Sequence, residues 1–255
     1  MSDLLVAAGL RVTYGGVVAV DGVDLAVPAG NVVGLIGPNG AGKTSMIDAL
    51  TGYHAPSAGR VTFDGRDITA MRAHLRARLG LVRTFQSVEL FDDLTVEENL
   101  LVASQRMGVL KALRDLLLPI GQHPREDVDW ALDLCGLADV ADRYPSELSF
   151  GRRKLVGVAR ALAQRPRLVL MDEPAAGLDT DESQELGRHL RALPEAGVTV
   201  LLVDHDMGLV LSVCDEVVVL DFGRVIARGT SEQIRGDEAV VAAYLGSHKK
   251  EAAHA

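Results

Sequence analysis

The sequence predicts an α/β fold. Two observations carry that expectation: strand-length apolar runs alternate with helix-length stretches along most of the 255 residues, and the run Val32–Ile36 feeds a glycine-rich loop that opens a helix. Such alternation favours helices layered on a sheet over a helical bundle or an all-β fold.

Taken in order, residues 4–27 are valine-rich and interrupted at Gly15-Gly16 and Asp21-Gly22, which suits strands joined by turns. Val32–Ile36 is continuously apolar, as a strand buried on both faces should be, and residues 43–50 begin a helix. Residues 59–63 read as a strand entering a tight turn at Asp64-Gly65. These early strands are expected to form a small antiparallel layer beside the core.

The texture changes after residue 86. Residues 95–105 open with the capping pattern Thr95-Val96-Glu97-Glu98, and residues 110–118 form another apolar stretch bounded by Pro119 and Gly121. Residues 124–134 have proline near their start and acidic residues in the first turn, so a third helix is expected there. The section 87–149 therefore reads as a helical insert. Core texture returns with a helix over 151–163, a strand over 167–171, a helix over 180–193, a strand over 198–203 and a short helix over Met207–Val213. Strands at 217–220 and 224–227 flank Asp221-Phe222-Gly223, helices follow at 232–235 and 238–245, and 247–255 reads as a flexible tail. No repeat or long linker divides residues 1–255, so one domain is expected.

Composition narrows the function. Hydrophobic residues make up 48% of the chain, which argues against disorder, and 35 acidic against 26 basic residues give a formal charge of −9. That balance disfavours a broad nucleic-acid-binding surface, and no nucleic-acid partner is expected. Cys135 and Cys214 lack metal-ligand spacing and suit a reducing compartment as small buried side chains. No apolar run reaches the roughly 18 residues of a membrane span, and the first residues lack a signal-like pattern, so a cytosolic chain is expected. A partner subunit could still supply membrane spans.

The loop after Val32–Ile36 is Gly37-Pro38-Asn39-Gly40-Ala41-Gly42-Lys43-Thr44, followed by Ser45. Strand, loop and helix together make the context of a phosphate-binding loop. Gly37, Gly40 and Gly42 let backbone N–H groups turn onto phosphate oxygens, Lys43 places a compact charge on the outer phosphates, and Thr44 offers a hydroxyl to Mg²⁺. Downstream, the apolar strand ending in Asp172-Glu173 supplies two carboxylates where a phosphate-loop protein would use one to hold the ion and the other to activate water.

At this point the chain resembles the ATP-binding subunits of ATP-binding-cassette transporters over almost its whole length. Leu148-Ser149-Phe150-Gly151-Arg152 stands where that family carries its signature, Ala176-Gly177-Leu178-Asp179 resembles the loop linking opposed sites, and His205 resembles the switch histidine. Gln86 matches the glutamine between core and helical subdomain, and Tyr14 the aromatic that stacks on adenine. The signature departs from the commonest form, with Phe150 for a glycine and Arg152 for a glutamine. Each match has a plainer alternative: Ser149 and His205 as helix caps, Gln86 as a solvated loop amide, Tyr14 packed on a strand edge.

The resemblance implies a cassette of the phosphate-loop NTPase class, with an antiparallel β subdomain and an inserted helical subdomain. It implies ATP as substrate and Mg²⁺ as cofactor, with Glu173 as catalytic base, Lys43 and His205 at the γ-phosphate, Thr44, Gln86 and Asp172 at the ion, and Gln86 also catalytic, near the attacking water. Residues Gly37 to Ser45 and Tyr14 would bind ATP. Ser149, Phe150, Gly151 and Arg152 would complete the site of a second, head-to-tail cassette, with Asp179 organising the interface. The implied partners are that second cassette (non-identical or a second copy), transmembrane permease subunits docked on the helical insert, and an extracytoplasmic solute-binding protein. The implied location is peripheral, on the cytoplasmic face of the membrane.

Within the family, Phe85-Gln86-Ser87-Val88-Glu89-Leu90-Phe91, Phe150, His205-Asp206-Met207 and Ala243-Tyr244-Leu245-Gly246 resemble the larger ATPase subunit of branched-chain amino-acid importers. An importer of urea, amides or another small polar solute fits the same cues. The remaining alternatives are a soluble cassette remodelling a macromolecular assembly and a nucleotide-dependent regulatory binding module with negligible turnover, against which intact Lys43, Asp172, Glu173 and His205 argue.

Overall fold

The computed structural model describes residues 2–84, 89–104 and 123–251. The expected helix over 110–118 and the candidate residue Gln86 lie outside them.

Two sheets organise the chain. The first is antiparallel, in the order β2-β1-β4-β5, built from β1 (Asp3–Tyr14), β2 (Val17–Pro28), β4 (Ala58–Phe63) and β5 (Arg66–Asp67). This is the expected antiparallel layer, with one correction. Asp21-Gly22 does not turn the chain; β2 runs straight through it, and the irregular register there, Leu10 opposite Val23 and Val12 opposite Val20, is a bulge. Gly22 at φ +69° absorbs the extra residue without strain.

The second sheet holds β3 (Val32–Ile36), β6 (Leu81–Arg83), β7 (Leu168–Asp172), β8 (Thr199–Val203), β9 (Glu216–Asp221) and β10 (Arg224–Gly229), in the order β10-β9-β3-β8-β7-β6. Strands β9, β3, β8, β7 and β6 run parallel, and β10 closes one edge antiparallel. Their period-two alternation sorts side chains into two cores. Val33, Leu35, Leu168, Leu170, Leu201 and Val203 face the first sheet and helix α1 (Lys43–Thr51). Val32, Ile36, Val169, Met171, Val200 and Leu202 face the opposite core. Covering both faces explains why these strands read as unbroken apolar runs.

The opposite core is roofed by α3 (Val96–Ser104), α4 (His123–Leu134), α5 (Phe150–Leu162), α6 (Thr180–Ala192) and α7 (Met207–Val213). Between β6 and β7 the described regular elements are helices, including 3₁₀ turns at Ala138–Val140 and Pro145–Glu147. The capping pattern ahead of α3 forms as expected: Glu98 N–H donates to the Thr95 hydroxyl at 3.2 Å, and Thr95 N–H to the Glu98 carboxylate at 2.8 Å. Helices α8 (Ser231–Arg235) and α9 (Glu238–Glu251) end the described chain. Helix α9 continues past residue 245 through part of the stretch expected to fray; Lys249, Lys250 and Glu251 are good helix formers.

Helix α2 (Ala73–Arg78) was not legible in the sequence. Its one buried residue is Arg76, which is 1% exposed. Its guanidinium donates to the carbonyls of Ala49 and Leu50 at 2.8 and 2.7 Å, and to those of Met71 and Thr69 at 2.8 and 2.9 Å. It thereby satisfies the last carbonyls of α1 from outside. Burial pulls its pKa down to about 10, partly offset by the Asp67 charge, so it stays charged at neutral pH.

Candidate nucleotide site

The second sheet delivers three loops to one end. At the end of β3, Gly37 takes φ +155°, and a Cβ there would stand 2.1 Å from the Leu220 carbonyl oxygen on β9. Only glycine fits. Gly40 and Gly42 take φ +78° and +103°, and a Cβ on Gly42 would meet the Ala19 carbonyl oxygen at 2.3 Å. The β9–β10 turn braces the loop from outside, with Gly223 N–H donating to the Ala41 carbonyl at 2.9 Å. The loop thus has a fixed shape, and its end is the N-terminus of α1, where open backbone N–H groups and the helix dipole favour an anion.

Lys43 is buried and folds back over this loop, its ammonium donating to the Gly37 and Pro38 carbonyls at 2.7 and 3.1 Å. Burial lowers its pKa, while Glu173, Asp172 and Asp204 push the other way. Asn39, Gly40 and Thr44 are exposed at the mouth, and Pro38, Gly42 and Ser45 are half-buried. Tyr14, half-exposed at the end of β1, tilts its ring against His54 with centroids 4.5 Å apart.

Asp172 ends β7 on the α1 side of the sheet, and Glu173 follows at φ +47°. That left-handed conformation costs a non-glycine residue about 1–2 kcal/mol, and it is fixed here by the Glu173 N–H donating to the Val203 carbonyl at 2.7 Å. At the end of β8, His205 is largely exposed, with Nδ1 lying 3.7 Å from Glu173 Oε2 and 3.6 Å from Asp204 Oδ1. Three candidates from separate parts of the sequence, Lys43, Glu173 and His205, therefore lie just beyond the ends of the neighbouring strands β3, β7 and β8.

Sequence reasoning missed two residues that hold this arrangement. Asp204 is fully buried and accepts N–H groups from Ala175 at 3.1 Å and Asp206 at 2.9 Å, tying the loop after β7 to the loop after β8. Arg83, at the end of β6, donates to Asp172 Oδ2 at 2.8 Å and to Asp48 Oδ1 on α1 at 2.6 Å. A carboxylate or guanidinium in a loop carries no local signal of such distant partners.

The signature candidates form a second group, at the α5 N-terminus. Ser149 caps α5, its hydroxyl accepting the Arg152 N–H at 3.3 Å, so the plainer capping alternative is realised. Gly151 N–H donates to Glu182 at 3.0 Å, and a Cβ on Gly151 would stand 2.7 Å from that carboxylate. Arg152 turns away to pair with Asp139 at 2.9 Å. Phe150 is half-exposed and touches the Gly177 loop, and Asp179 caps α6, accepting the Glu182 N–H at 2.9 Å. Glu182 thus joins signature and linking loop into one unit.

The ABC transporter family model matches residues 20–176, and a model for the branched-chain amino acid ATP-binding cassette transporter matches residues 224–250. The chain is 42% identical to the high-affinity branched-chain amino acid transport ATP-binding protein BraF of Pseudomonas aeruginosa, over 95% of this chain and 98% of that one. It is 39% identical to LivG of Escherichia coli, with the same two coverages. Among solved structures, a nucleotide-free ATP-binding cassette from an ABC transporter aligns with TM-score 0.83 and 32% identity, covering 95% of this chain and 99% of that one. The cassette MJ1267 in its ADP conformation aligns with TM-score 0.84 and 32% identity, covering 96% and 100%. Phosphate loop, strand-end carboxylates and full-length relatives agree: this chain belongs to the ABC transporter family, as one of its ATP-binding and ATP-hydrolysing cassettes.

Proposed function

We propose that this cassette powers a branched-chain amino acid importer, working with a second cassette on permease subunits. The observation that carries its catalytic part is the meeting of Glu173 and His205, 3.7 Å apart, beside the loop that holds Lys43. The relatives BraF and LivG, together with the match over residues 224–250, support the solute and the importer complex.

In this reading the loop N–H groups and the α1 N-terminus hold the triphosphate, and Lys43 exchanges the Gly37 and Pro38 carbonyls for phosphate oxygens. Glu173 orients water and takes its proton as the water oxygen bonds to the γ-phosphorus and the bond to the β–γ bridging oxygen breaks, with ADP leaving, while His205 steadies the γ-phosphate from the neighbouring loop. Tyr14 faces the adenine. Ser149 and Gly151 complete the paired cassette's site, and closure of the two halves excludes water from it. Asp179 organises the contact between the two sites.

The residues present fit Mg²⁺. Thr44, an exposed residue, carries a hydroxyl, and Asp172 a carboxylate whose Oδ1 takes no hydrogen bond among the described residues, both hard oxygen donors. Gln86 joins this set by resemblance. When bound, Mg²⁺ neutralises charge on the β- and γ-phosphate oxygens.

The segment 87–149 acts as the helical subdomain that docks the permease, within a single cassette. In this reading the cassette attaches to the cytoplasmic face through those partners; no helix among the described residues is long and apolar enough to cross a membrane. The test is purification of the native membrane complex and measurement of its ATPase rate with solute-loaded binding protein. Leucine, isoleucine or valine should stimulate turnover; stimulation by urea or an amide instead would overturn the solute assignment.

A further inference from the structure

Arg83 is the last residue of β6, a short strand at the edge of the second sheet. Its register partner on β7 is Leu170, so Asp172, two residues on, lies on the same face of the sheet. That face is the one packed by α1, which contributes Asp48. The guanidinium bridges the two carboxylates at 2.6 and 2.8 Å, with the arginine side chain only 10% exposed and Asp172 15%. Its planar fork also lies 5.6 Å from the Tyr53 ring centroid, which further restricts its motion.

Two consequences follow. Arg83 holds one oxygen of Asp172, Oδ2, and leaves Oδ1 to another ligand. Its positive charge is already matched by Asp48, so its main contribution to Asp172 is direction. Rotation of the carboxylate is stopped by a partner fixed to two other elements, β6 and α1.

We propose that Arg83 is a positioning residue for the metal site, aiming Asp172 Oδ1 at the ion carried by ATP. The proposal rests on the metal-binding role given to Asp172 above.

The experiment is calorimetric titration of the full chain, in a Glu173→Gln background that prevents turnover. It measures the free Mg²⁺ concentration that half-saturates ATP binding, and separately the ATP affinity in EDTA. Arg83→Gln and Arg83→Lys should each raise the Mg²⁺ midpoint about tenfold, the usual effect of losing an outer partner of a metal ligand, and leave ATP affinity in EDTA within about twofold. A purely structural role would weaken binding equally with and without Mg²⁺, and that result would overturn the proposal. So would an unchanged midpoint, or a midpoint that falls in Arg83→Gln and stays put in Arg83→Lys, which would mark a charge effect. Arg83→Lys carries the test if Arg83→Gln fails to fold. Asp172→Asn separates the two levels: if it leaves the midpoint unchanged, the metal role of Asp172 fails; if it raises the midpoint and the Arg83 variants do not, the positioning role alone fails.

Discussion

The three loop glycines are required for different reasons. At Gly37 and Gly42 a methyl group would collide with a backbone carbonyl, whereas at Gly40 nothing lies within 4 Å and only the φ of +78° is unfavourable. Gly40→Ala should therefore cost about 1–2 kcal/mol of unfolding free energy. Gly37→Ala should cost more, about 2–3 kcal/mol, and weaken ATP binding as the loop shifts off Leu220. Urea unfolding of both variants checks the order, and equal losses would contradict the steric account. The glycines were legible because spacing alone marks them. The left-handed Glu173, by contrast, gave no sign in the sequence, since its conformation is imposed by the Val203 carbonyl on another strand.

At the scale of elements, most strands and long helices among the described residues are legible because two-sided burial and capping leave local patterns, whereas β5 and β6, of two and three residues, are too short to show one. Helix α2 has six residues and only one of them, Arg76, is buried, so no apolar periodicity announces it. The bulge at Gly22 was misread as a turn for a similar reason: Asp-Gly signals positive φ, and whether the chain reverses there depends on the partner strand. Arg76 ties two carbonyls at the α1 C-terminus, Ala49 and Leu50, to two in the segment before α2, Thr69 and Met71, so Arg76→Met would leave buried acceptors unpaired and should cost about 3–5 kcal/mol. Chemical unfolding measures this, and a loss below about 1 kcal/mol would show that α1 ends without its help.

For the whole molecule, one sheet with two cores explains why residues far apart in sequence share an edge. Parallel strands β3, β7 and β8 release Gly37, Glu173 and His205 at the same end, as parallel order requires. The fold was legible from alternation, and the phosphate loop from its motif. The cross-links Arg83–Asp172 and Asp204–Ala175 were not, because each joins elements whose adjacency only the topology decides. Ser149 and Gly151 sit at the N-terminus of α5, where Glu182 bonds both Gly151 and Asp179, and this is the surface proposed above to meet a second cassette. Light scattering of Glu173→Gln protein with Mg-ATP, alone and with the paired cassette of its complex, tests this most directly. The account predicts a two-cassette mass in at least one of these mixtures, lost on adding Ser149→Arg; single-cassette mass in both would contradict it.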